Sequence, residues 1–198
     1  VAFILTKPGT LLSPAPAIMV TSAKPGEKPN VITIAWAGTV NSDPPMVSVS
    51  IRPSRHSHPI IRDTGEFVVN LVNRELLKAA DFCGVRSGRD CDKFAACGLA
   101  AVPADKMEHA PAIAQSPVWL ACKVRHSLEL GSHTMFIGEV VSAGVREDLA
   151  DAAGRFDFLK AGLVAYCHGE YTGLTRALGF FGFSVARPEV LKRRMKTK

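Results

Sequence analysis

Residues 118–147 constrain the fold more than any other stretch of the chain. Val118, Leu120, Cys122, Val124, Leu128 and Leu130 fall on one side of an alternating pattern, and Lys123, Arg125, Ser127 and Glu129 fall on the other. A period of two is a half-buried strand; a helix would repeat its apolar residues every three or four positions. His126 interrupts the apolar side. Gly131-Ser132 then supply a turn, and 133–147 reads as the returning strand of a hairpin. A two-stranded ribbon cannot bury its own apolar side, so further strands must pack around it.

Those strands are present. Residues 16–23, 30–37, 45–52 and 66–72 are short runs rich in Val, Ile and Thr, bounded by Pro, Gly or Asn, and a last strand covers about 162–168. Helical patterns are fewer. Asn73 can cap a helix over 74–82 with Leu76, Leu77 and Ala80 as its buried stripe, and a shorter helix covers 57–64. Many strands with few helices predict a mainly β chain: an antiparallel barrel, not alternating βαβ units. Residues 103–117 carry three prolines and read as a long loop. We read one domain over 1–198, with a core at about 14–170 and a packing extension at 171–198. Leu178, Phe180, Phe181 and Phe183 in that extension are too apolar for water, so they are expected on the body or on a second subunit.

Charge and cysteine content narrow the function. The net charge is +6, but Lys192, Arg193, Arg194, Lys196 and Lys198 supply five of those charges. The body is nearly neutral, which argues against a nucleic-acid protein, whose charge sits on a folded face. No apolar run approaches the ~20 residues of a membrane span, and Val1 to Leu5 is too short for a secretory leader. The five cysteines, Cys83, Cys91, Cys97, Cys122 and Cys167, are odd in number and widely spaced, without CxxC. Neither a disulfide framework nor a zinc ribbon is suggested, and a reducing, cytoplasmic setting is expected. The scattered histidines give no support for a metal site.

The common catalytic signatures are missing: no GxGxxG after a strand, no P-loop, no HExxH, no GxSxG. Four segments could carry chemistry instead. Residues 50–58 (SIRPSRHSH) and 86–94 (RSGRDCDKF) each combine hydroxyls, cations and loop N–H groups, the mixture a phosphate monoester requires. Alone, either stretch reads first as a polar surface loop; their joint presence in a barrel-like chain raises the anion-site reading. Residues 30–38 end a strand in Trp36, which can flank a planar ligand or serve as core or dimer interface. His133, at the hairpin turn, sits at a barrel rim, where it is either solvated or within reach of a substrate.

Taken together these segments resemble the flavin reductase-like family with an FMN-binding split barrel, most closely its flavoredoxin branch. The matching pieces are NVITIAWAGTVNSDPPMVSVSIRPSRHSH, GEFVVN, SGRDCDKF, GSHTMFIGEV and LGFFGFS, in the family's order over about residues 14–185. The resemblance implies a homodimeric antiparallel split β-barrel holding FMN near the subunit interface. It implies that Asn30, Thr33, Ala35 and Trp36 lie along the flavin ring and its polar edge. Ser50, Ile51 and Arg52 would run beside the ring or ribityl chain, and Arg55, Ser57, Ser87 and Lys93 would hold the phosphate. His133 takes the catalytic place of the histidine in the family's Gly-Asp-His motif, although Ser132 stands where the aspartate is usual. Tyr166 and His168 match a less constant segment near the ring edge.

The expected function is therefore a flavin-dependent oxidoreductase, with electrons from NAD(P)H or a redox protein passing through FMN to a second acceptor. The alternative is a non-enzymatic electron carrier of the flavoredoxin type. NAD(P)H is a candidate co-substrate; no nucleic acid, membrane or metal partner is expected.

Overall fold

The computed structural model describes residues 1–196; the tail cation Lys198 lies outside the described residues. The first half of the chain forms β1 (Ala15–Pro16), β2 (Ile18–Ser22), β3 (Asn30–Ile34), β4 (Ala37–Ser42), β5 (Pro45–Ile51), α1 (Ser57–Thr64), β6 (Glu66–Leu71), α2 (Leu77–Val85) and α3 (Lys93–Cys97). The second half forms β7 (Ala101–Val102), β8 (Ala112–Ile113), β9 (Val118–Glu129), β10 (Thr134–Val145), β11 (Val164–Cys167), β12 (Glu170–Gly173) and α4 (Pro188–Lys196). Seven strands form one antiparallel sheet in the order β3-β2-β6-β9-β10-β5-β4, and β1-β11-β12 form a second. The chain is mainly β with short helices, an antiparallel barrel as the strand pattern predicts and split as the resemblance implies.

Curling gives the sheet an inside. Val20, Ile32, Val49, Ile51, Phe67, Cys122 and Phe136 meet there in one cluster. The opposite face of β2 and β3 is also covered: Met19 and Val31 pack with Leu76, Ala80, Cys83 and Phe94 from the α2–α3 region. Burial on both faces explains why β2 and β3 read as almost continuous apolar runs. Their apolar side chains are the two surfaces of one wall.

The long hairpin departs from ideal pairing at Ile137/Gly138 and again at Val140/Ser142. Such irregularities bend a strand and increase its twist. Gly138 is required at the first: a Cβ there would stand 2.6 Å from Phe67 Cζ and 3.0 Å from Cys122 Cβ.

Several elements differ in detail from the sequence expectation. The run 30–37 is broken after Ile34, because the chain bends at Ala35-Trp36 before β4 begins. Asn73 does cap, its Oδ1 accepting the Leu76 N–H at 3.0 Å, but regular helix starts at Leu77 and runs on to Val85. The apolar side of β9 is covered only in its first half: Leu128 and Leu130 are 46% and 57% exposed at the hairpin tip. The C-terminal extension does not bury its apolar residues within the chain. Leu178, Phe181 and Phe183 are exposed, and Phe180 instead packs beside Phe183 and under the Arg194 guanidinium.

The loop 103–117 is pinned by a buried carboxylate. Glu66 is 2% exposed and accepts the N–H groups of Glu108, His109 and Ala110, while Lys123, its partner across β6–β9, closes an ion pair on Oε1.

Candidate functional site

The bend after β3 opens a slot of about 450 Å³ between the barrel wall and the β1-β11-β12 sheet. Ile32, Ile34, Ala35 and Trp36 form one side, Ser50, Ile51 and Arg52 the next, with Tyr166 and Tyr171 facing them. Trp36 is 39% exposed at the rim, and Ser50 N–H bonds the Trp36 carbonyl at 2.9 Å, holding the two segments together. Thr33 also lines the slot and spends its hydroxyl hydrogen on the Ala80 carbonyl at 2.5 Å. His133 enters from the start of β10. Its Nδ1 lies 2.9 Å from Ser132 Oγ, so the serine of the turn orients the ring. Burial and the nearby Arg52 hold its pKa below the ordinary imidazole value, so the ring is neutral near pH 7.

A second, polar cavity of about 230 Å³ continues from the slot, the two sharing Ile32, Arg55 and Gly84 as walls. Arg55, Arg86, Arg89, Lys93, His56, Ser57, Ser87 and Asn30 line it, with no Asp or Glu among them. The polarity is one-sided. His56 has its pKa lowered by burial and by the charges of Arg89 and Lys93, the signature of a positive field. Gly88 brings the 86–93 loop against the floor: a Cβ would meet Asn30 Oδ1 at 2.1 Å and His56 Cδ2 at 2.8 Å. Only glycine permits that approach.

The grip is tightly cross-braced. Asn30 Nδ2 donates to Ser57 Oγ at 2.6 Å, and Arg89 donates to the Ser54 carbonyl at 2.9 Å, tying the two basic bends to each other. Lys93 is 4% exposed, and its Nζ donates to the Cys83 and Arg86 carbonyls at 3.1 and 3.2 Å. Two of its three N–H groups thus shape the loop, and one is left for a ligand. Burial lowers its pKa, with the Cys83 and Cys91 thiols opposing and Arg55 adding to the shift.

The structure gathers most of the residues singled out in the sequence. Thr33, Ala35, Trp36, Ser50, Ile51, Arg52, Tyr166 and His133 line the slot, Ser57, Ser87 and Lys93 the polar cavity, and Arg55 both. Asn30 lies in the polar cavity rather than along the slot. His168 is exposed on the β11–β12 turn, where its φ of 47° is left-handed, and the slot is lined by Gly169 instead. Several slot residues escape the sequence reading, Tyr171 and Asp81 among them. Tyr171 sits opposite Tyr166 across that turn, ring centroids 5.7 Å apart, and its hydroxyl donates to Asp81 Oδ1 at 3.3 Å. The signal for Tyr171 was present as a glycine turn between two tyrosines; Asp81 has no local signal.

Among the described residues, no group of three or more side chains is placed to hold a metal, and no helix is long and apolar enough to cross a membrane.

Comparison with known proteins points one way. Residues 11–175 match the flavin reductase like domain. Flavoredoxin of Desulfovibrio vulgaris (Miyazaki F) superposes with a TM-score of 0.84 at 30% identity, covering 90% of this chain and 97% of that one. An uncharacterised Archaeoglobus fulgidus protein is 36% identical over 115 residues, 58% of this chain but only 64% of its own length. The reductase component of 4-nitrophenol 4-monooxygenase/4-nitrocatechol 2-monooxygenase from Rhodococcus opacus is 31% identical over 140 residues, 70% of this chain and 71% of that protein.

Proposed function

This chain belongs to the flavin reductase-like domain family, and from that premise we propose that it is an FMN-binding oxidoreductase. It takes electrons from NAD(P)H or a redox partner and passes them to a second acceptor. The observation that carries this reading is the join of an aromatic-rimmed slot, part apolar and part polar, to a carboxylate-free cationic cavity at Ile32, Arg55 and Gly84. A planar ring on a chain that ends in a dianion needs both compartments, in that order.

The donor set fits the group. Arg55, Arg89, Lys93, Ser57 and Ser87 would hold the phosphate through charge-assisted hydrogen bonds. Ile32, Ile51, Trp36 and Tyr166 would exclude water from the ring, and Ser50 and Arg52 would meet its polar edge. Bound FMN supplies the hydride and electron chemistry; the protein binds, orients and tunes it. Arg52 presents a cation where negative charge would accumulate. His133, kept neutral and steered by Ser132, has Nε2 available to exchange a proton or to contact the donor. No acid–base triad is required.

The name of the Rhodococcus relative favours a reductase, and that of the Desulfovibrio neighbour favours a carrier. Rapid mixing of the flavin-loaded protein with NADH and with NADPH separates these. Loss of the flavin absorbance within seconds with either nucleotide is the expected result. No loss with either, in protein that still holds FMN, leaves the carrier; failure to retain FMN at all overturns the reading. We also infer one domain, a homodimer and a reducing, cytoplasmic setting. The exposed Trp36, Val40, Leu128 and Leu130 support a second subunit, and five free thiols support the compartment.

A further inference from the structure

The polar cavity and the slot are joined by more than shared walls. Ser57 opens α1 and is 1% exposed, its Oγ accepting from Asn30 in the cationic cavity. The next residue, His58, points the other way. It is 8% exposed, its ring lies 5.3 Å from Phe136 in the barrel interior, and its Nε2 is 2.9 Å from Thr134 Oγ1. Thr134 is itself 7% exposed, pairs with Ile51 across β5–β10, and directly follows His133. A short path therefore runs from the cationic cavity to the slot: Ser57, His58, Thr134, His133. Its covalent steps are single peptide links, and its one non-covalent step is a buried hydrogen bond.

We propose that His58 is a positioning residue for His133, and that its bond to Thr134 couples occupancy of the cationic cavity to the placement of His133 in the slot. The proposal rests on the reading of these compartments as a flavin site. The alternative role, simple core packing, would be served equally well by an apolar ring. The choice of histidine at a buried position against Phe136 is costly unless its hydrogen bond does something a phenylalanine cannot. The bond fixes the first residue of β10 at the point where that strand leaves an exposed turn. It thus adds a side-chain restraint next to His133, whose ring is held by Ser132 and whose carbonyl accepts the Leu130 N–H at 2.8 Å.

The test uses the full chain in three variants: His58→Phe, which keeps a ring against Phe136; Thr134→Val, which removes the other half of the bond; and His58→Gln, which can restore it. The first readout needs no flavin. The titration midpoint of His133, followed by NMR in the apoprotein, is expected to rise by ~0.5 pH unit, roughly threefold in proton affinity, in His58→Phe and Thr134→Val, as the ring loosens from the wall and from Arg52. His58→Gln is expected to return it toward the wild-type midpoint. The second readout compares wild-type protein saturated with riboflavin and with FMN. Filling the cationic cavity with the phosphate should shift the His133 resonances beyond what riboflavin does, and that difference should vanish in His58→Phe. A His133 midpoint unchanged in both disruptive variants, or changed in all three alike, overturns the proposal. Absence of FMN binding by the wild type would instead sink the flavin reading, while the apoprotein titration still decides the positioning role.

Discussion

Lys93 shows what a single side chain can carry here. In the sequence it is one cation in a polar bend; in the structure it is buried, with Nζ on the carbonyls of Cys83 and Arg86. It therefore both shapes the loop and offers a charge. A charge-assisted hydrogen bond contributes about 1.5–3 kcal/mol, so Lys93→Met should weaken FMN roughly 10- to 150-fold by equilibrium dialysis. Riboflavin lacks the phosphate and should lose far less. Equal losses for both ligands would mean that Lys93 acts only through the loop. That Arg55, Ser57 and Lys93 share a polar cavity was legible because contiguous segments carry several cationic and hydroxyl groups at once. Asp81 was not, because its partner Tyr171 is 90 positions away and only the fold brings them together.

Among the elements, the main strands were legible from their apolar runs or alternation and the hairpin from its glycine turn, whereas β4, β7 and β8 lie in segments that read as turn or loop. What alternation could not reveal is where a strand is interrupted by something packed against it. The break at Ala35-Trp36 lies inside an unbroken apolar pattern, and it is this break that opens the slot. The β12 strand was hidden because Glu170–Gly173 is short and polar, and it pairs only by virtue of the turn before it. Glu66 was likewise invisible: an acidic residue at the head of a strand reads as surface. Burial alone would raise its pKa, but Lys123 and the loop N–H groups outweigh that and hold the carboxyl below its ordinary range. Glu66→Gln should cost about 1–3 kcal/mol in urea unfolding at pH 7. Because the folded-state pKa is depressed, the carboxylate's contribution is complete above the unfolded value. The gap between wild type and variant should close as pH falls through the folded one. A gap that persists undiminished at low pH would show that the ion pair and its loop bonds are not its source.

The whole molecule leaves a large apolar surface in water. Phe3, Ile4, Leu5 and Leu12 at one end of the chain, Leu178, Phe181 and Val185 at the other, and Leu128 and Leu130 at the hairpin tip are all exposed. Short runs of large exposed apolar side chains such as these are candidates for a contact with another subunit. Sedimentation should give twice the chain mass, and Leu128→Lys with Leu130→Lys should shift the population toward monomer. A wild-type monomer at micromolar concentration would leave those side chains without the second copy inferred for them.

The slot draws its walls from Ala17 through to Tyr171. No fragment of the polypeptide contains it, and a single nick between those positions leaves two halves that must stay together to keep it. Whatever fills the slot therefore binds only the intact fold and raises the cost of opening it. Proteases attack the opened form, so an occupant of the slot would lengthen the life of the protein, and a chain made without that occupant would be the more exposed to degradation.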